Sequence, residues 1–192
     1  MFLVRRPTEE VIDRFLKQQE GSRLSYEPVG LSSMSPPGFS IDACRVAIGR
    51  GAEAFLAARE ALWAWQAFRL SWAELHPRRA PMRVGTNVAV LARHLGGWSL
   101  NGCRVVSVVA DSPESKRCGF AYGTLENHAE RGEERFFIEL DPADRTVWYE
   151  IRAVSRPRAL LAWLAYPLSR RLQARFRSES ARAMRAAVQR AA

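Results

Sequence analysis

Arg117-Cys118-Gly119-Phe120-Ala121-Tyr122-Gly123-Thr124-Leu125-Glu126-Asn127-His128-Ala129-Glu130-Arg131-Gly132-Glu133-Glu134-Arg135-Phe136 reads as a strand, a polar loop and the start of a return strand. Successive side chains of a strand point to opposite faces. Cys118, Phe120, Tyr122 and Thr124 therefore share one face, and Gly119, Ala121, Gly123 and Leu125 share the other. The second face is nearly bare, so something packs closely on it, either a helix or a ligand. The same stretch gathers the densest set of reactive side chains in the chain, with one Cys, one Tyr, one His and four Glu.

Around this pair of strands the pattern repeats. Residues 86–95, 103–110, 118–125, 135–140 and 145–154 are β-branched or alternating runs, joined by Gly96-Gly97, Asn101-Gly102 and the polar segment 111–115. Short turns between strands imply an antiparallel meander. Upstream, residues 39–48 alternate as a further strand, with Asp42, Cys44, Val46 and Ile48 on one face and Gly49-Arg50-Gly51 as its turn. Pro7-Thr8-Glu9-Glu10 opens a helix that Gly21 stops, since Pro and acidic residues suit a first turn. Residues 52–67 form a second helix, and 75–81 read as loop.

From Pro157 onward Ala, Leu, Arg and Gln dominate, as in a helix. Leu161, Leu164, Leu168, Leu172 and Phe176 recur every three or four residues and give it one buried face, weakly continued by Met184 and Val188. Pro167 is expected to kink or split it. This order of elements predicts an α+β helix-grip fold, a curved antiparallel sheet wrapped around a long C-terminal helix, with a cavity between them.

Length and charge set the frame. The 192 residues suit one domain with a real core. Residues 156–192 hold nine Arg against Glu179 alone, a net +8, whereas residues 1–155 hold 20 basic and 19 acidic residues, a net +1. The basic excess thus belongs to a helical C-terminal extension over 170–192. Cys44, Cys103 and Cys118 lie far apart without a CxxC pair and read as inert thiols of a reduced compartment. The N-terminus lacks the apolar core of a secretory signal, and the longest apolar run, 159–168, is too short for a transmembrane segment. A cytoplasmic location is expected.

Several pieces resemble a known family, the domain of unknown function 1990, also called uncharacterised protein family 0548. They are Arg6-Pro7, Tyr26 with Val29-Gly30, Pro37-Gly38, Gly49-Arg50-Gly51, Gly85, Cys103-Arg104-Val105-Val106, Gly119 through Leu125, His128, Gly132-Glu133-Glu134 and Ser155-Arg156-Pro157. The resemblance spans nearly the whole chain. It departs at Asn127-His128-Ala129, where a Gly-His pair followed by Pro is the pattern, and at Glu27-Pro28, which inverts the usual order. The resemblance implies a single domain over 1–192, similar to the START-like or Bet v 1-like ligand-binding superfamily, and implies no activity.

Candidate chemistry follows from the residues. His128 with Glu126 and Glu130, and with Glu133 and Glu134 beyond, makes either an acid–base set or a hairpin whose His and Glu serve turn hydrogen bonds and an ion pair. No second His or Cys lies close in sequence, so no metal is expected. Cys118 beside Arg117 reads as a buried thiol. No motif calls for a cofactor; there is no GxSxG, HExxH, P-loop or GxGxxG. The expected partner is an apolar or amphipathic small molecule, bound against Phe120, Tyr122, Trp148, Leu161 and Leu164, with His128 or Tyr122 as polar anchor. One alternative is an enzyme of the same fold using His128 and a nearby Glu. Another is an adaptor that docks on nucleic acid or an anionic membrane through Arg170, Arg171, Arg175, Arg177, Arg182 and Arg185.

Overall fold

A computed structural model describes residues 1–109, 116–158 and 166–191. Its strands are β1 (Phe2–Leu3), β2 (Ser40–Arg50), β3 (Ala73–His76), β4 (Asn87–His94), β5 (Gly97–Val109), β6 (Arg117–Thr124), β7 (Glu130–Leu140) and β8 (Thr146–Pro157). Its helices are α1 (Glu9–Gln18), α2 (Gly51–Trp63) and α3 (Tyr166–Ala191). All the strands join one antiparallel sheet in the order β2-β8-β7-β6-β5-β4-β3, with β1 added beside β5. The sheet curls around α3, which is the helix-grip arrangement.

Alternation sorts every strand into an inner and an outer face. Inward, Cys118, Phe120 and Tyr122 of β6, Phe136 and Ile138 of β7, and Val147, Tyr149 and Ile151 of β8 meet Phe55, Ala58 and Leu62 of α2. Trp65 and Phe68, just after α2, complete an aromatic floor. Trp65 lies 4.8 Å from Phe120 between ring centres, and Phe120 stacks on Phe136 at 5.0 Å. The second half of α3 closes this core with Ala181, Met184 and Val188. Residues 170–191 are thus the body of the gripped helix, and Met184 and Val188, a weak continuation in the sequence pattern, are among its most buried side chains. The helix runs unbroken from Pro167 to Ala191, and the chain before Tyr166, on which the expected kink or split at Pro167 turns, lies outside the described residues.

Outward, two smaller layers cover the sheet. Ile12 and Phe15 of α1 pack on Ala89, Leu91 and Leu100. Tyr26 and Leu31 pack on Val154. The bare face of β6 belongs to this outer side, and neither the long helix nor a ligand covers it. A Cβ on Gly119 would stand 2.3 Å from the Phe137 ring, and one on Gly123 would stand 2.2 Å from the Tyr26 hydroxyl. The glycines admit these two rings.

The Tyr26 segment is held by Glu133, a buried carboxylate on the outer face of β7. Tyr26 donates its hydroxyl to Glu133 Oε2 at 2.6 Å, and the Gly30 amide donates to the same oxygen at 2.9 Å. Ser32 donates its amide at 3.1 Å and its hydroxyl at 2.5 Å to Oε1. Hydrogen bonds to a charged acceptor contribute about 1.5–3 kcal/mol each, and four of them offset the desolvation of a carboxylate.

Three expectations change. Asn101-Gly102 is not a turn: it lies inside β5, opposite Val90 and Ala89, with Asn101 facing inward and Gly102 against the Gln19 side chain. The expected Gly96-Gly97 turn is present one residue earlier, at Leu95-Gly96. Residues 73–76, partly expected as loop, form the edge strand β3, too short for alternation to stand out. β7 begins at Glu130, so Glu130, Gly132, Glu133 and Glu134 belong to a strand rather than to the loop. The expected turn over 111–115 lies outside the described residues.

Glu133→Ala leaves the Tyr26 hydroxyl, the Gly30 and Ser32 amides and the Ser32 hydroxyl without their acceptor. The expected loss is about 3 kcal/mol or more, read as a lower urea midpoint with an unchanged slope; Tyr26→Phe should cost about 1–2 kcal/mol.

Candidate functional site: a polar-ended cavity under the C-terminal helix

Beyond the aromatic floor the sheet and the first half of α3 stand apart, and a cavity of about 530 Å³ lies between them. Phe68, Trp72, Val90, Leu168, Leu172 and Phe176 form its apolar walls, and Phe2 and Leu95 border it at the β1 and β4 side. Tyr122, Glu130, Glu134, Asn101, Ser155, Gln173 and Arg177 supply its polar groups.

Each polar group arrives on a regular element. Tyr122 and Glu134 face each other across the β6–β7 pair, and Tyr122 donates its hydroxyl to Glu134 Oε2 at 2.7 Å. Glu130, two inward positions earlier on β7, accepts hydrogen bonds from Ser169 and, at 2.6 Å, from the Gln173 amide, both on α3. Asp42 of β2, almost fully buried, binds both Arg170 and Arg177, the latter at 2.9 Å. One helix face thus carries Ser169, Arg170, Gln173 and Arg177 onto carboxylates of the sheet.

Burial, with repulsion from Glu130 and Asp42, pushes the Glu134 carboxyl up to about 7, against the pull of Tyr122 and Arg177. Burial likewise raises the Tyr122 hydroxyl far above its usual value. His128 lines the cavity, but its Nδ1 accepts from the Glu130 amide at 2.9 Å, a turn contact. Burial holds its imidazole below the ordinary value, against the pull of the Glu130 carboxylate. His94, also on the wall, bonds Ser99 at 2.9 Å and is lowered by burial too.

The residues singled out in the sequence separate. Tyr122, His128 and Glu130 reach the cavity, whereas Glu126 is exposed in the hairpin loop and is not part of the wall. Phe120 is fully buried in the aromatic floor beneath the cavity. Trp148 lies on the outer face of β8 with the Arg45 guanidinium 4.5 Å above its ring, because alternation with inward Val147 and Tyr149 turns it out. Leu161 and Leu164 lie outside the described residues. Arg117 stands over Phe137 on the outer face while Cys118 is buried inside, so the two do not meet.

Asn101, Ser155 and Gln173 are site residues that sequence reasoning misses, as it misses Asp42 behind the wall and the inward role of Arg177. The inward phase of β2 and β8 marks Asp42 and Ser155. The register that joins Tyr122 to Glu134 follows from the short hairpin. Nothing in the sequence pairs the α3 arginines with Asp42. Those arginines are largely engaged inward: beyond Arg170 and Arg177, Arg185 donates to the Ala47 carbonyl at 2.7 Å. Arg175 binds Glu179 at 2.7 Å and covers the Trp72 ring, and Arg182 reaches Glu179 at 4.0 Å. Arg171 is exposed. Among the described residues no group of three or more His, Cys, Asp or Glu could hold a metal ion, and no helix is long and apolar enough to cross a membrane.

The family described as Domain of unknown function (DUF1990) matches residues 25–183. A UPF0548 protein of Dictyostelium discoideum is 31% identical, over 98% of this chain and 96% of its own length. This chain belongs to the DUF1990 family. Tyr26, Gly30, Gly123 and Glu133, which carry part of the resemblance, meet in the outer clamp, so those DUF1990 positions here serve the fold. Among solved structures, TTHA0849 of Thermus thermophilus is similar with a TM-score of 0.54 at 13% identity, over 80% of this chain and 99% of that one. The di-domain ARO/CYC protein StfQ from the steffimycin biosynthetic pathway is similar with a TM-score of 0.53 at 13% identity, over 79% of this chain and 51% of that one. These likenesses are of fold, the helix-grip arrangement of a curved antiparallel sheet around a long helix.

The folded protein retains the Glu134 proton up to about pH 7, whereas the unfolded chain releases it near the ordinary value of 4.5. The raised value makes stability greatest below pH 4.5 on this account and lowers it as pH rises through about 7. Glu134→Gln keeps an acceptor for Tyr122 and removes the buried charge. It should match the parent at pH 5 and exceed it by about 1–3 kcal/mol at pH 8, measured by thermal denaturation.

Proposed function

We propose that this DUF1990 protein binds an apolar or amphipathic small molecule between the sheet and α3. The observation that carries the reading is the cavity itself. About 530 Å³ lies within the ~300–1,000 Å³ of ordinary small-molecule sites. Folded interiors close-pack, and apolar voids of that size are rare unless something fills them. The apolar body of the ligand would lie against Phe68, Trp72, Leu168, Leu172 and Phe176. A polar end would meet Tyr122 and Glu134, the one pair there whose partners are neutral groups or each other.

A second reading, catalysis in the same cavity, is favoured by one observation. A carboxyl titrating near 7 beside a hydroxyl is matched to proton transfer at neutral pH. That role falls to Glu134 with Tyr122, since His128 is tied to the Glu130 backbone and Glu126 faces solvent. Incubating any co-purified ligand with the parent and with Glu134→Gln, and following its mass, separates a carrier from an enzyme: only an enzyme changes the ligand, and only the parent does so.

Native mass spectrometry of the protein purified from its host should show a retained species released on denaturation. The ligand-stripped protein should bind the neutral dye Nile red, and Ala153→Phe, which places a ring in the cavity from β8, should weaken that binding about tenfold or more at an unchanged melting temperature. Equal dye binding by parent and variant would sink the reading.

A further inference from the structure

The rim of the cavity is built against the ordinary rules of a folded surface. Phe2, Val4 and Leu95 are 69%, 88% and 81% exposed. Phe2 lies opposite Ser99 and Leu3 opposite Trp98 on β5, and the Phe2 ring meets His94 edge-on at 5.9 Å, next to Leu95 in the β4–β5 turn. Phe2 and Leu95 border the cavity, and Val4 follows in the bend just after β1.

Leu95 is the most telling of the three. The hairpin closes His94 on Gly97 with two residues between, Leu95 at φ 51° and Gly96 at φ 76°. Two-residue turns with both φ values positive are the province of Asn-Gly and Gly-Gly, because a Cβ crowds the backbone there. Leucine is a poor choice for that backbone, and its side chain buries almost nothing in return. Folding gains neither from the backbone nor from the side chain, which marks a residue kept for contact with something else.

The charges next to Val4 and His94 in the chain are basic. Arg5 follows Val4 and Arg93 precedes His94; both are exposed, and neither has an ion-pair partner among the described residues. Arg6 covers the Trp98 ring and binds Glu74, and Arg78 holds that same acid at 2.8 Å. Three apolar tips on an edge present far less than the ~800 Å² per partner of a stable protein interface. They suit shallow insertion among acyl chains, with arginines at headgroup level.

We propose that the rim formed by Phe2, Val4 and Leu95, flanked by Arg5 and Arg93, docks on an anionic lipid bilayer and sets the cavity border against its surface. This docking is independent of what the cavity holds and of the C-terminal arginines.

The test is sedimentation of the full chain with phosphatidylcholine vesicles, with and without phosphatidylserine, alongside melting curves. The parent should bind the phosphatidylserine vesicles at least about tenfold better than phosphatidylcholine alone, and added salt should weaken the binding. Leu95→Asn, which suits the turn, should reduce vesicle binding severalfold while holding or raising the melting temperature. Arg5→Gln with Arg93→Gln should abolish the preference for phosphatidylserine. The proposal is overturned if the parent ignores both vesicle types, if Leu95→Asn binds like the parent, or if it lowers the melting temperature, which would make Leu95 a folding residue. Self-association that Leu95→Asn abolishes, without vesicle binding, would make the rim a protein interface and overturn it equally.

Discussion

The Glu133 carboxylate fixes which side of the sheet does what. It draws Tyr26, Gly30 and Ser32 onto the outer face of β7 and β8, and Gly123 leaves room for the Tyr26 ring to reach it. With the outer face committed to this clamp and to α1, the inner face is left for the helices. Strand alternation then dictates the rest: a carboxylate that points out at Glu133 means one that points in at Glu134. The adjacent acids serve opposite ends of the design, one structural and fully hydrogen-bonded, the other in the cavity with a single neutral donor.

The order of elements and the antiparallel sheet are legible because they rest on local signals, period-two alternation in the strands and a three-to-four spacing in α3. The inward phase of Tyr122 is legible for the same reason. What fails are readings that depend on long-range contact. Asn101-Gly102 carries the strongest short-turn signal in the chain, yet it is paired along its whole length with β4, and its glycine makes room for Gln19 of the α1 end. The neighbouring turn, legible from Gly96-Gly97, falls one residue earlier and takes in Leu95. Trp148 suits the cavity by size alone, but its phase relative to Tyr149 turns it outward.

The basic C-terminus shows the same limit in electrostatic form. Nine arginines against one acid looks like a surface for an external anion. Arg170 and Arg177 are instead the counter-charges of Asp42, 128 residues away from Arg170 in sequence, and Arg185 caps a carbonyl of β2. Charge counted by segment ignores partners that only the fold brings near. Part of the +8 of the tail is therefore met inside the fold, by Asp42.

The two halves of α3 explain why a cavity survives at all. Its second half is held by Ala181, Met184 and Val188, whose apolar contacts have no fixed length and close up until the core is dense. Its first half is held by Ser169, Arg170, Gln173 and Arg177 on Glu130 and Asp42, whose hydrogen bonds have set lengths and directions. Polar contacts of this kind act as spacers: they stabilise the helix at a distance from the sheet and resist the collapse that an all-apolar face would drive. A helix gripped by packing at one end and propped by polar contacts at the other therefore leaves its void at the propped end, beside Tyr122 and Glu134. The position of the cavity follows from where the polar anchors of α3, Ser169, Arg170, Gln173 and Arg177, give way to the close packing of Ala181, Met184 and Val188.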